Sequence, residues 1–180
     1  MHALRTAITI GWIVFWVYWL ASAIGVKAGR RNRRRIPLTG VTALCVVLVL
    51  RVFRGDSLTV HSLVLGAIGA VVFASGIALA IWARIHLGSN WGMPMDQKAE
   101  PELVTSGPYR LVRHPIYSGL LAAVVGTALA TSLIALILAV VLGGYFYYSA
   151  SVEEKNLTAT FPDEYPAYRS RTKMIIPFVL

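Results

Sequence analysis

Residues 103–117 read LVTSGPYRLVRHPIY, a polar segment turning back into apolar sequence. Two proline dipeptides punctuate it, Gly107-Pro108 and His114-Pro115. Proline has no N–H and restricts the residue before it, so each predicts a change of chain direction. Between and just beyond them stand Tyr109, Arg110, Arg113, His114 and Tyr117, the densest group of chemically capable side chains in the sequence. Ionisable groups packed where a helix re-enters an apolar medium are costly and mark a site.

Downstream, Ile116 to Ala150 is an apolar run too long for one ordinary span. It predicts two short helices turning near Ala130-Thr131-Ser132. Upstream, three further apolar stretches fit spans at about Arg5–Val26, Pro37–Val52 and Thr59–Ala83. The first is rich in aromatics (Trp12, Phe15, Trp16, Tyr18, Trp19), which suit packing and membrane interfaces. The third carries Gly66, Gly69, Ala70, Ala74, Ser75, Gly76 and Ala78, small enough for close helix approach. With 57% hydrophobic and 14% charged residues, a chain of 180 residues cannot hide its apolar surface from water. The expected fold is all-α, an integral membrane bundle of about five transmembrane helices. Residues 1–83 form its three N-terminal helices and 84–180 its functional half, within one structural domain.

The net charge of +9 suggests nucleic acid, but six basic residues and no acid sit in the loop Lys27–Arg35 of a membrane protein. That is a topology signal, and anionic lipid headgroups are a compatible partner. With the N-terminus outside, fourteen of the seventeen Lys and Arg residues fall on the cytoplasmic side, giving an N-out, C-in arrangement. The first apolar stretch is long enough to be retained rather than cleaved. Cys45 is the sole cysteine, so no disulfide framework or cysteine zinc site is expected, and Arg54-Gly-Asp56 reads as a turn. The histidines His2, His61, His86 and His114 are dispersed, which argues against a metal. Neither GxSxG, GxGxxG nor a P-loop occurs.

On this topology two polar clusters share the cytoplasmic face: Tyr109, Arg113, His114 and Tyr117, and Glu153 and Glu154 followed by Tyr165, Tyr168, Arg169 and Arg171. Carboxylates suit a sulfonium or amino group, Arg or His a carboxylate, and tyrosines a cation. Paired acids at a helix end also occur as a solvated face or dipole complement. Lys155, Asp163, Glu164 and Lys173 read as solvated charges of the tail.

GPYRLVRHPIYSG, then EEKNL, then FPDEYPAYRSRTKMIIPF resembles the isoprenylcysteine carboxyl methyltransferase family, whose RHPxYxG and paired-acid pattern the phospholipid N-methyltransferases share. The resemblance covers about residues 84–180. It implies an S-adenosylmethionine-dependent membrane methyltransferase with a cytosolic cofactor pocket and a lipophilic acceptor from the bilayer. Carried over by motif, Val104, Gly107, Tyr109, Arg113, His114, Tyr117, Glu153, Glu154 and Tyr168 would bind the cofactor, with Tyr165 in the covering tail. Glu153, Glu154 and Arg113 would be catalytic. Asn90, Trp91, Tyr148 and Arg169 would border the acceptor. Better-known eukaryotic members place arginines in the turn before the acid pair, whereas this chain has Tyr145, Tyr147, Tyr148 and Ser149 there; Arg169 or Arg171 is the candidate substitute. A carboxylate acceptor is the expected one. A phospholipid amine, a small thiol, and a non-enzymatic lipid-binding scaffold are the alternatives.

Overall fold

The computed structural model describes residues 2–22, 29–30, 58–90, 97–98 and 102–177. The expected second span, Cys45, Arg54-Gly-Asp56 and Trp91 lie outside them. Among the described residues the chain forms α1 (His2–Ser22), a two-residue β1 (Gly29–Arg30) and α2 (Leu63–Leu87). A 3₁₀ turn (Gly88–Asn90), β2 (Gln97–Lys98) and a second 3₁₀ turn (Gly107–Arg110) follow. The chain then enters α3 (Pro115–Ala130), α4 (Ala135–Thr160) and α5 (Glu164–Arg171). Helices α1, α2 and α4 are long and apolar enough to cross a membrane, while α3 is a shorter apolar helix.

The centre of the bundle is a seam of small residues between antiparallel α2 and α3. Gly69 and Gly76 on α2 are seven residues apart, as are Gly119 and Gly126 on α3, so each pair lies on one helix face. A Cβ added at Gly76 would stand 2.5 Å from the Ala123 nitrogen and 2.6 Å from the Gly119 oxygen. One added at Gly119 would stand 2.6 Å from the Gly76 oxygen. Backbones therefore touch directly, the kind of contact that drives association where lipid offers no hydrophobic contrast. Of the small residues expected to do this, Gly66, Gly69 and Gly76 are buried, but Ala74, Ser75 and Ala78 are exposed. Phe73, Ala80 and Ala83 complete the buried stripe, because helical periodicity and not smallness selects the face.

Helix α1 lies across this seam. Trp12 packs edge-on against Phe73 at 5.5 Å, and its indole N–H donates to Thr127 Oγ1 at 3.0 Å. Packing, expected for the aromatics of α1, thus holds for Trp12 and for Phe15, which is 1% exposed. Trp16 instead faces outward.

Two ends are defined by hydrogen bonds between loops. At one, Val60 N–H donates to Thr131 O and Leu133 N–H to Leu58 O, each at 3.0 Å, with Arg5 reaching Thr131 O at 3.4 Å. At the other, Arg84 ties α1 to α2 by donating to Ser22 O and, at 2.8 Å, to Gly88 O. The β1–β2 pairing joins the basic loop to the segment before residue 103.

Three boundaries differ from the sequence expectation. Helix α2 starts at Leu63, where the Ser62 hydroxyl accepts from Leu65 N–H, and continues past Ala83 to Leu87. Arg84 is thus helical and buried, its two terminal nitrogens donating to the two carbonyls. The hairpin turn falls at 131–134 as expected, but α4 is not short. It runs on through the charged sequence to Thr160 and carries Glu153 and Glu154 within it. Hydropathy marks where lipid ends, not where a helix must.

Candidate active site

The second proline dipeptide sets the site. Pro115 occupies the first position of α3, where its missing N–H costs nothing, and the residue before it, His114, is the N-cap. Tyr117 follows in the first turn, and its ring lies parallel to the His114 imidazole at 5.5 Å. Tyr117 also stacks on Phe146 of α4 at 4.5 Å. These stacked rings fix α3 against α4 about two turns before the acid pair.

The acids meet these rings and their flank. Tyr117 OH donates to Glu153 Oε1 at 2.6 Å. Arg113 Nε donates to Glu154 Oε1 at 2.6 Å, with Arg113 and Glu154 side chains 8% and 5% exposed. Between them, His114 Nδ1 stands 3.3 Å from Glu153 Oε2 and Nε2 3.5 Å from Glu154 Oε1. Nδ1 has a carboxylate at close range, whereas Nε2 has no hydrogen-bond partner. Arg169 Nε of α5 approaches Glu154 Oε2 at 3.5 Å, its side chain largely in solvent.

The tail closes over these groups. Arg113 Nη1 donates to Arg169 O at 3.3 Å and to Thr172 O. Helix C-termini leave carbonyls without intrahelical partners, so this guanidinium caps α5 from a distant segment. Residues 172–175 then run alongside 112–114, with Arg113 N–H donating to Lys173 O at 2.8 Å and His114 N–H to Met174 O at 3.0 Å. Ser118 donates to Ile175 O, and Ile175 sits in a core with Tyr109, Ile116, Tyr117, Phe146 and Ala150. Tyr168 OH donates to Tyr109 O at 2.7 Å.

Burial governs the titration of the groups outside the spans. It raises the Tyr168 phenol to about 12, partly offset by Arg113 and assisted by Glu154, so the hydroxyl stays a donor. Burial also raises Tyr109 and Tyr165. For His114 burial pulls the other way, and the adjacent Glu153 and Glu154 outweigh it, lifting the imidazole above its ordinary value.

Of the residues singled out from the sequence, Tyr109, Arg113, His114, Tyr117, Glu153, Glu154, Tyr168 and Arg169 are brought to one end of the bundle. Gly107 has φ +57 and sits against the His86 ring, which leaves no room for a Cβ. Val104 packs partly buried on the Tyr109 core. Tyr165 is fully buried and its hydroxyl has no hydrogen-bond partner. Asn90 is bound to Glu102 at 2.6 Å, Tyr148 is exposed on α4, and Arg171 donates to its own helix at Ala167 O. Lys155, Asp163, Glu164 and Lys173 are exposed as expected. Sequence reasoning passed over Phe146, Ser118, Arg84 and the 172–175 strap. Only Pro177, just beyond the strap, hinted at an extended segment there.

Fold and site together define a helical protein with membrane-length spans and a buried, ion-paired cluster where the apolar helices end. Residues 64–164 match the phospholipid methyltransferase family, and the chain belongs to that family. It is 39% identical over 80 residues to protein-S-isoprenylcysteine O-methyltransferase B of Arabidopsis thaliana, covering 43% of this chain and 41% of that protein. It is 25% identical over 171 residues to the protein-S-isoprenylcysteine O-methyltransferase of Schizosaccharomyces pombe, covering 90% of this chain and 67% of that protein. It is also 36% identical over 78 residues to methanethiol S-methyltransferase 1 of Bradyrhizobium diazoefficiens, covering 43% of this chain but 27% of that protein. The resemblance to isoprenylcysteine methyltransferases read from the motifs thus holds.

Proposed function

We propose that this protein is an S-adenosylmethionine-dependent integral membrane methyltransferase acting on a lipophilic acceptor, with its site on the cytoplasmic face. The observation that carries it is the Glu153–His114–Glu154 cluster, gathered beneath the tail in a member of a methyltransferase family. The donor set fits a sulfonium amino acid: carboxylates for its cationic groups, and the unpartnered Tyr165 hydroxyl and His114 Nε2 for polar ones. Glu153, Glu154, His114, Tyr117 and Tyr168 would hold it, with the backbone at Val104 and Gly107 facing its nucleoside. When bound, that cofactor supplies an activated methyl group for in-line displacement. The protein's own contribution is then positioning and exclusion of water.

Arg113 takes a structural part in this reading. Its guanidinium is committed to Glu154 and to the end of α5. Arg169, adjacent to Glu154 and mostly in solvent, is the better cation for steering an acceptor carboxylate, and we favour O-methylation for that reason. Thiol methylation is the second reading, favoured by the bradyrhizobial relative. It would use a carboxylate or His114 to take the thiol proton. The basic segment around 29–30 pairs with 97–98, just before the stretch that leads into the site, which supports placing this end in the cytoplasm.

The test is transfer of a labelled methyl group from S-adenosylmethionine to prenylated cysteines, fatty acids, phospholipid amines and alkyl thiols by the purified protein. Base-labile label, released as methanol, identifies a methyl ester. Label stable to base identifies an amine or thioether. A folded protein that labels none of them and does not bind S-adenosylhomocysteine rules the reading out.

A further inference from the structure

We propose that His114 determines selectivity for the charged methyl donor: as an imidazolium it takes the counter-charge that Glu153 and Glu154 would give a sulfonium, so donor binding expels its proton. The inference rests on the function proposed above and assigns the residue a role within it. Both ring nitrogens face carboxylates, Nδ1 at 3.3 Å from Glu153 Oε2 and Nε2 at 3.5 Å from Glu154 Oε1. A neutral imidazole has one N–H, so only the protonated ring can offer a donor to both acids. Nε2 makes no hydrogen bond with protein, so its 3.5 Å contact with Glu154 is loose enough to be exchanged for another cation.

The charges around the ring leave it the deciding one. From α4 come two carboxylates, and Arg113 beside it offsets one of them while pinned to α5. From α3 comes the neutral Tyr117, stacked on the ring and bonded to Glu153. From α5 come Tyr165 and Tyr168, both held protonated by burial, and Arg169, whose side chain is 59% exposed. Tyr109 precedes α3 and is likewise raised by burial. The strap contributes only backbone, Met174 O accepting the His114 N–H, while the Lys173 side chain is exposed. With the imidazolium present the buried set is close to neutral. Without it one negative charge remains for a ligand cation. The raised pKa of His114 favours that neutralised state. S-Adenosylhomocysteine differs from the donor by loss of one methyl and the positive charge on sulfur, so it does not compete for that charge.

The experiment is calorimetric titration of the full-length protein in lipid nanodiscs with each of the two ligands. Buffers of different ionisation enthalpy would be used from about pH 5.5 to 8.5. Below the His114 pKa, S-adenosylmethionine should release close to one proton more than S-adenosylhomocysteine. The affinity ratio in favour of the donor should rise by up to about tenfold per pH unit until the ring is neutral. In His114→Gln both ligands should bind more weakly, but the ratio between them should be flat with pH and the extra proton absent. Equal proton release with both ligands overturns the inference, as it would if the acids held the amino group that both share. So does an extra proton that persists in His114→Gln. Should that variant fail to fold, the wild-type proton counts decide alone. Failure of the wild type to bind either ligand removes the proposed function and this role with it.

Discussion

Replacing Arg113 with methionine should open the tail while leaving the helical bundle intact. The guanidinium joins three groups at once: Glu154 at 2.6 Å, the Arg169 carbonyl at 3.3 Å and the Thr172 carbonyl. Methionine keeps the apolar stem but leaves a carboxylate that is 5% exposed without its principal cation. Removing one partner of a buried ion pair costs about 3–5 kcal/mol. That is a rise of roughly a hundred- to a few thousand-fold in opening of the strap. The reporters are built in: the Arg113 and His114 amides donate to Lys173 O and Met174 O, and they exchange with solvent only when residues 172–175 lift away. Hydrogen–deuterium exchange of peptides spanning 109–117 and 168–177 should therefore accelerate by that factor. Peptides of α2 and the apolar part of α3 should not change. Arg113→Lys should fall between, since a single ammonium cannot reproduce the planar fork that reaches a carboxylate and two carbonyls. Exchange at the strap unchanged in Arg113→Met would refute the claim that this side chain holds it.

The α2–α3 seam and the His114 cluster give two further expectations. Gly119→Ala should destabilise the protein by about 1–3 kcal/mol in thermal unfolding, because its Cβ would stand 2.6 Å from a backbone oxygen that cannot rotate away. Gly144→Ala, where nothing lies within 4 Å of the added Cβ, should be neutral or stabilising by up to about 1 kcal/mol; equal losses at both sites would contradict the seam. For pH, the native pKa of His114 lies above its ordinary 6.5, so the protonated ring contributes stability that is fully present below 6.5 and lost as pH rises through the higher native value. Melting temperatures followed from pH 5 to 9 should decline across that interval in the wild type and less in His114→Gln. Parallel curves for the two proteins would remove His114 as the cause.

Local chemistry was legible in the sequence, and long-range pairing was not. His114-Pro115 announced the start of α3 because proline at the first helical position is a local constraint. The hairpin turn at 131–134 followed from span length alone. By contrast, the end of α4 was misread because a change from apolar to charged residues was taken as a change of structure. Ser151 to Thr160 continues the helix through residues that tolerate one. The small residues of α2 announced close packing but not which of them pack, since that depends on register against α3. Nothing local in the sequence connects Arg113 to the carbonyls of Arg169 and Thr172, because backbone acceptors carry no residue signature. The second span lies outside the described residues, so five spans remain part of the proposed topology.

The spacing of the shared motif has a physical reading in this geometry. Successive residues on a helix point about 100° apart, so Glu153 and Glu154 diverge to either side of His114, and each takes a further partner of its own. The facing segment meets them with partners that diverge in the same way. Arg113 lies before the helix and reaches Glu154, while Tyr117 in the first turn of α3 reaches Glu153. His114, at the N-cap between them, faces both. An arginine-histidine-proline run followed by tyrosine is thus the complement of two adjacent acids on a neighbouring helix. The same contacts that clamp α3 to α4 also draw the tail over the site through Arg113. Loss of activity on substituting any one of these residues therefore does not by itself distinguish chemistry from closure. The exchange rates of the strap amides make that distinction: a residue needed only for chemistry leaves them slow, and one that holds the clamp does not.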